Sequence, residues 1–191
     1  MFILFAVAIG VIVGLLAGGR PAGLATLPIR WAPVIAGGLL FQVVLFADPV
    51  AERVGGLGPA LYLGSTVAVA AAVLRNWRIP GIPLVVAGAG CNLAAVVANG
   101  GYMPASPAAL AASGKAIPEM YSNSSSVADP ALWPLTDIFA LPSWLPAANV
   151  FSVGDVLIGV GVATVIVVAM RRRPIDATPA TTPEPGGAPA H

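Results

Sequence analysis

The sequence predicts an all-α membrane protein: a small bundle of about five transmembrane helices with a structured cap segment between the fourth and the fifth. Three observations predict it. The 191 residues are 58% hydrophobic and only 9% charged, with a mean hydropathy of +0.90. A soluble domain carries about 25% charged residues, so this chain has too little charge to cover a water-facing surface. Five apolar runs approach the length of about 20 residues that crosses a bilayer. Finally, the positive charges sort to one side of those runs.

The first run is Met1 to Gly19. No Lys or Arg precedes it, and Arg20 follows it. That is the wrong order for a signal peptide, so it reads as a retained helix with its N-terminus outside. Arg20 to Arg30 is a short loop punctuated by Pro21, Gly23 and Pro28. The second helix spans Trp31 to Ala47, with Trp31 suited to the interface and Pro33 to a first turn. Asp48 to Gly58 reads as a loop closed by glycines. The third helix spans Pro59 to Leu74 and ends in the basic, aromatic Arg75, Trp77 and Arg78. The fourth spans Pro83 to Ala98, where Gly88, Gly90 and Ala94 allow close approach of a neighbouring backbone. The fifth spans Val153 to Met170 and meets Arg171, Arg172 and Arg173.

Residues 1–173 thus form the membrane domain, with the outer cap at 99–151. The Pro/Ala/Thr tail 174–191 has almost nothing to bury and reads as disordered and cytoplasmic. With the N-terminus outside, the inner loops hold seven arginines (20, 30, 75, 78 and 171 to 173), against Arg53 and Lys115 outside. The positive-inside rule selects that orientation: a plasma-membrane protein, N-terminus out and C-terminus in, with the cap outside.

Composition also narrows the chemistry. A net charge of +1 argues against a nucleic-acid partner. The single Cys91 allows no intrachain disulfide and reads as a packing residue. The single His191 lies at the end of the tail, so the membrane part has no imidazole to act as base or metal ligand. Ser113 and Lys115 are too close in sequence and too exposed for a persuasive nucleophile–base pair. Glu119, Asp129 and Asp137 match no cation-loop spacing, and Met103 and Met120 read as core filler. The expectation is no enzyme, no catalytic residue, no metal and no cofactor. The expected partners are the lipid bilayer and another membrane or envelope protein.

Inside the cap, Ser106 to Gly114 carries a short-helix signal: Ser106 as cap, Pro107 in the first turn and Gly114 as left-handed stop. A helix so short must pack on something, and the outer ends of the bundle are the expected place. Ala131 to Val150 is apolar but broken by Pro134, Pro142 and Pro146. It reads as extended chain and turns at the interface, with a re-entrant hairpin as the alternative.

Four helices place a polar side chain in the outer half of the membrane. Gln42, Thr66 and Asn92 sit about 7 to 11 Å below the outer helix ends at about 1.5 Å per residue, and Asp155 lies at the start of the fifth helix. Two readings fit. The four side chains either line one polar pocket roofed by the cap or hydrogen-bond neighbouring helices. Ser152-Val-Gly-Asp155 also has capping-box spacing, so Asp155 reads either as a helix cap or as a proton- or ligand-binding carboxylate. Gly100-Gly101 can end the fourth helix in a left-handed turn. Asn99 and Asn149 then tie the two ends of the cap to the helix mouths.

Three stretches have a relative: Asn99-Gly-Gly-Tyr-Met-Pro-Ala-Ser106, Tyr121-Ser-Asn123, and Leu145-Pro-Ala-Ala-Asn-Val-Phe-Ser-Val-Gly-Asp155. With them the chain resembles a bacterial integral-membrane family of unknown function, DUF5317. The resemblance implies that the cap and the start of the fifth helix are the family's signature, and it implies no activity. A His that often follows the Tyr-Ser-Asn element is Ser124 here. The candidate ligand-binding residues are Gln42, Thr66, Asn92, Asn99, Tyr121, Asn123 and Asp155. The expected function is a non-catalytic interaction or structural module with an outer cap. The alternative is a small-molecule binding or transport protein that uses the polar pocket.

Overall fold

The computed structural model describes residues 2–114, 124–125, 129–146 and 148–172. Tyr121, Asn123 and the tail 174–191 lie outside the described residues. The fold is mostly helical. Helix α1 covers Phe2–Leu16, α2 Ala32–Leu45, α3 Asp48–Val54, α4 Gly58–Leu74, α5 Ile82–Ala98, α6 Pro107–Ser113 and α7 Val153–Met170. Five of the seven are apolar, as the sequence predicts. The stretches Glu52–Leu74 and Val153–Met170 are long and apolar enough to cross a membrane, and Phe2–Leu16, Ala32–Leu45 and Ile82–Ala98 are shorter apolar helices.

Each long helix begins and ends where local chemistry dictates. Prolines occupy the first turns of α2, α4 and α5, where a missing N–H costs nothing. Helix α5 stops at Gly100 and Gly101, with φ of 73° and 94°, and Gly101 N–H returns to Val96 O at 2.9 Å. A β-carbon on Gly101 would also press on Pro59 at the start of α4.

The five apolar helices stand in a row in the order α1, α7, α5, α4, α2. Phe2 and Ala6 pack beside Gly159, and Gly14 beside Met170, so α1 and α7 run parallel. Gly88 meets Gly154 and Gly81 meets Gly161, so α5 runs antiparallel to α7. Gln42 meets Ser65 and Thr66, and Phe46 meets Tyr62, so α2 and α4 are antiparallel. A row leaves much apolar surface uncovered. Only Leu45 of α2 is buried, while Leu40 is 64% and Val43 70% exposed.

The row has two unlike ends. At the basic end, Arg20 N–H bonds to Met170 O at 2.7 Å, and Asn76 holds both backbone groups of Arg30. Arg20, Arg30, Arg75, Arg78, Arg171 and Arg172 all gather there. The other end is covered by the chain between α5 and α7. Strand β1 (Met103–Pro104) pairs parallel with β2 (Ser124–Ser125), β3 (Phe139–Ala140) pairs antiparallel with β4 (Val150–Phe151), and Ala105 bridges to Asp137.

Several details differ from expectation. The stretch Asp48 to Gly58 is not a loop: α3 and a 3-10 turn at Gly55–Leu57 lead directly into α4, with the Arg53 side chain bonded to Pro49 O. The first helix ends at Leu16, and the chain turns at Gly18 with φ of 75°. Ser106 precedes α6, but its side chain makes no cap bond; Gly114 does take the left-handed stop. Helix α6 packs on β3 and β4 rather than on the bundle ends, burying Ala109 and Leu110 with Ala105 and Val150. The chain's own strands offer it an apolar face closer than the helix tips. Residues 131–150 form a 3-10 turn at Trp133–Leu135 and the β3–β4 pair, which is extended chain and turns.

Candidate functional site

The approach of α5 to α7 creates the site. Gly88 lets the two backbones come together, and Asn92, one turn further on, then reaches the start of α7. Asn92 Nδ2 donates to Asp155 Oδ1 at 2.9 Å, and Asn92 Oδ1 accepts from Ser152 Oγ at 2.8 Å. Gly154 lacks a side chain where the Asn92 amide sits; any β-carbon there would collide with it. One residue's absence of bulk therefore positions another's amide.

Ser152 and Asp155 also cap α7 reciprocally. Ser152 Oγ accepts from Asp155 N–H at 3.0 Å, and Asp155 Oδ2 accepts from Ser152 N–H at 3.0 Å. This is a complete capping box. Ser152 Oγ also lies 3.2 Å from Asp155 Oδ2. A hydroxyl has one proton, and the shorter contact to Asn92 takes it. Ser152 is 0% exposed, so its two hydrogen bonds are made away from water and count for more than at a surface. The cap reading of Asp155 is thus seen directly. Asp155 nonetheless also faces open space.

That space is a cavity of about 200 Å³ whose polar wall is Tyr62, Asn92, Asp137, Asn149 and Asp155, with Phe2, Ile3, Val96, Met103 and Val150 as the apolar part. It draws on α1, α4, α5, α7 and the cap. Phe2 stacks on Phe151 at 4.5 Å between ring centroids, and Phe151 stacks on Phe139 at 5.4 Å. This aromatic file ties the start of α1 to β3 and β4. Asp137 is held by its backbone: its N–H bonds Pro104 O and its C=O accepts from Ser106 N–H, both at 2.9 Å. Asp137 is buried. Two carboxylates, Asp137 and Asp155, line the cavity, and among the described residues no Lys, Arg or His does, so these acceptors suit positive or hydrogen-donating groups. Asn92 uses one amide N–H on Asp155, and its other N–H has no partner among the described residues.

The residues predicted from sequence divide clearly. Asn92 and Asp155 come together in the cavity. Gln42 and Thr66 do not line it: Gln42 Nε2 donates to Ser65 Oγ and Thr66 Oγ1, each at 3.2 Å, which is a bond between α2 and α4. Thr66 stands one turn after Tyr62 on α4, and Ser65 Oγ donates to Tyr62 O at 2.8 Å, so this pair adjoins one cavity residue. Asn99 ties the chain at Ala131 to the end of α5. It donates to Ala95 O at 2.7 Å and exchanges two bonds of 2.9 Å with the backbone of Ala131. Tyr121 and Asn123 lie outside the described residues. Tyr62, Asp137 and Asn149 were not among the candidates. Tyr62 carried a usable signal, since it lies one turn before Thr66 and so shares its helix face.

A family model described as a family of unknown function, DUF5317, matches residues 26–167. The matched stretch includes Tyr62, Asn92, Asp137, Asn149 and Asp155 and begins after α1. No match is found among curated proteins or among solved structures.

Proposed function

Because the chain belongs to DUF5317, a family of unknown function, its role has to be read from its own geometry, and we propose that it is a multi-pass plasma-membrane protein that binds a small cationic or polar molecule, without catalysis, in a cavity on its outer side. Five helices cross the bilayer, the N-terminus and the cap lie outside, and the basic end lies in the cytoplasm. The gathering of six arginines at one end supports this placement. So do the tryptophans: exposed Trp31 and Trp77 stand at the basic end, and Trp133 and Trp144 at the capped end. Two such belts mark two membrane interfaces. The shorter helices, of 14 to 17 residues, are about 21 to 26 Å long, about 4 to 9 Å under a hydrocarbon thickness of about 30 Å, a mismatch that local thinning and the turns flanking each helix take up.

The observation that carries the binding reading is the cavity between Asn92, Asp155 and Asp137. Its volume of about 200 Å³ equals roughly seven waters at about 30 Å³ each. It suits a small amine or polyol, below the range of about 300–1,000 Å³ typical of drug-sized ligands. The test is thermal unfolding of the detergent-purified full chain with methylammonium, ethanolamine, choline and glycerol. A ligand at about 100 times its Kd adds roughly 2.7 kcal/mol of stability. The stabilisation should vanish in Asp137→Asn and persist in Gln42→Leu. An unchanged transition with every compound, or an equal shift in Asp137→Asn, refutes the binding reading.

A second reading is favoured by the exposed Leu132, Trp133, Phe139 and Trp144 on the cap. Here the cap is a recognition surface for a membrane or envelope protein, and the polar cluster only holds the helices. Site-specific crosslinking from position 144 to a defined protein, unaffected by Asp137→Asn, would favour it.

A further inference from the structure

At the basic end, the turn after α4 folds over the approach to α2. Asn76 is 5% exposed, and its amide is fully occupied in holding that turn. Its Oδ1 accepts from Arg30 N–H at 2.8 Å, and its Nδ2 donates to Arg30 O at 2.8 Å and to Ala72 O at 2.9 Å. Trp77 N–H bonds Leu74 O at 3.1 Å and Ile79 N–H bonds Asn76 O at 2.9 Å, so the turn is closed on itself. The clamp brings Arg30 alongside Arg75 and Arg78, which are distant in sequence from it. Together with Pro28, Leu74 and Trp77 they surround a cavity of about 440 Å³. That falls within the range of about 300–1,000 Å³ of small-molecule sites.

The charge of this cavity is unbalanced. Three arginines line it, and no carboxylate among the described residues pairs with any of them. The described Asp and Glu residues are at 48, 52, 129, 137 and 155, all toward the capped half of the chain's fold. Guanidinium forks match phosphate oxygens in pairs. Leu74 and Trp77 give the same cavity an apolar wall at a helix end, where acyl chains meet headgroups.

We propose that this cavity binds the phosphate of an anionic phospholipid headgroup in the inner leaflet. The inference rests on the membrane placement given above but not on the outer cavity. A phosphate could also arrive on a soluble molecule; the apolar wall beside the three arginines favours the lipid. Each basic side chain near the surface adds roughly a fivefold factor, so the set yields a preference on the order of a hundredfold at low salt.

The experiment places the full chain in nanodiscs of equal phosphatidylglycerol and phosphatidylcholine and counts retained lipids by native mass spectrometry. Enrichment of phosphatidylglycerol by about tenfold or more is expected, falling to the bulk ratio in Arg30→Gln/Arg75→Gln/Arg78→Gln and unchanged in Arg53→Gln. Enrichment that is absent, or that survives the triple substitution, overturns the proposal. Displacement of the lipid by millimolar inorganic phosphate overturns the lipid as the source. If the triple variant does not fold, Arg75→Lys and Arg78→Lys keep the charge but lose the fork. A several-fold loss of retention then supports the site, and full retention overturns it. Discs of phosphatidylcholine alone test the placement separately: a chain that does not enter them overturns the membrane reading, whereas entry leaves that reading intact and the mixed discs decide this one.

Discussion

Two glycines in α5, two residues apart, should respond to alanine in opposite directions. Gly88 and Gly90 both lie inside the helix, away from its ends. A β-carbon on Gly90 meets nothing within 4 Å. Replacing a helical glycine by alanine there gains roughly 0.5–1 kcal/mol. A β-carbon on Gly88 would run into Gly154 O and lie 2.8 Å from Ile158 Cγ1 and 2.9 Å from Ile158 N. Two of those three atoms are backbone, so no rotamer change relieves the contact and the helices must part. Overpacking of this kind costs about 1–3 kcal/mol. Parting α5 from α7 also stretches the Asn92–Asp155 bond of 2.9 Å, a contact worth about 0.6–2 kcal/mol between membrane helices. After the propensity gain is subtracted, Gly88→Ala should lose roughly 1–4 kcal/mol while Gly90→Ala gains up to about 1 kcal/mol. Thermal unfolding in detergent, followed by tryptophan fluorescence, reads both. At about 2–4 °C per kcal/mol for a chain of this size, the two midpoints should bracket the parent's. Equal shifts of the same sign, or a Gly88→Ala protein as stable as the parent, would refute the close crossing on which the site depends.

Three further substitutions test the polar framework. Ser152→Ala removes the α7 cap, worth about 1 kcal/mol, and strands Asn92 Oδ1, which adds about 1–3 kcal/mol; the same unfolding assay should show a loss larger than for a cap alone. Gln42→Leu gives up two contacts of 3.2 Å, and at about 0.6 kcal/mol for an average interhelical bond the midpoint should move by no more than about 5 °C. Asn99→Ala frees the backbone of Ala131 without touching the α5–α7 crossing, so hydrogen exchange at Ala131 and Leu135 should quicken while the exchange of α7 stays as it was.

Much of the helical layout was legible because apolar runs and their punctuation are local signals. Pro33, Pro59, Pro83 and Gly100 mark ends that the fold keeps to within a residue or two. The stretch Asp48 to Gly58 misled for a local reason too. Its glycines and charges look like a loop, yet Asp48-Pro49 starts a helical turn and Gly55-Gly56 only kinks it. The depth of Gln42, Thr66, Asn92 and Asp155 could be counted along each helix. Which neighbour each one faces could not. These helices are apolar nearly all round, so no polar stripe marks an inward face. Gln42 and Thr66 have the right depth and meet each other rather than Asn92. Asp137 sits in the proline-broken stretch Ala131 to Val150, where nothing local marks it out, and its backbone bonds to Pro104 and Ser106 place it in the cavity wall.

The order of the row explains why the cavity lies where it does. In the membrane placement proposed above, apolar helices gain nothing from burying one another in hydrocarbon, so association rests on close packing and hydrogen bonds. Helix α7 supplies both. It offers Gly154 and Gly161 to α5 and Gly159 to α1, and its capping box supplies the partners of Asn92. Helices α1, α7 and α5 therefore form a tight trio. The α4 side is joined by bulkier contacts, with Tyr62 against Val96 and Met103. Glycine contacts draw α5 and α7 together, while the large Tyr62 ring holds α4 off, and the space left between is the cavity. Its polar lining follows from the same cause. The start of α7 needs acceptors for its free N–H groups, and the residues that provide them lie where the gap opens. A ligand seated there would touch Asp155 of the trio and Tyr62 of the α4 side at once. Binding would then tighten the weaker of the two halves, and α2, which holds to α4 through Gln42, is the element whose exchange should slow most when the cavity fills.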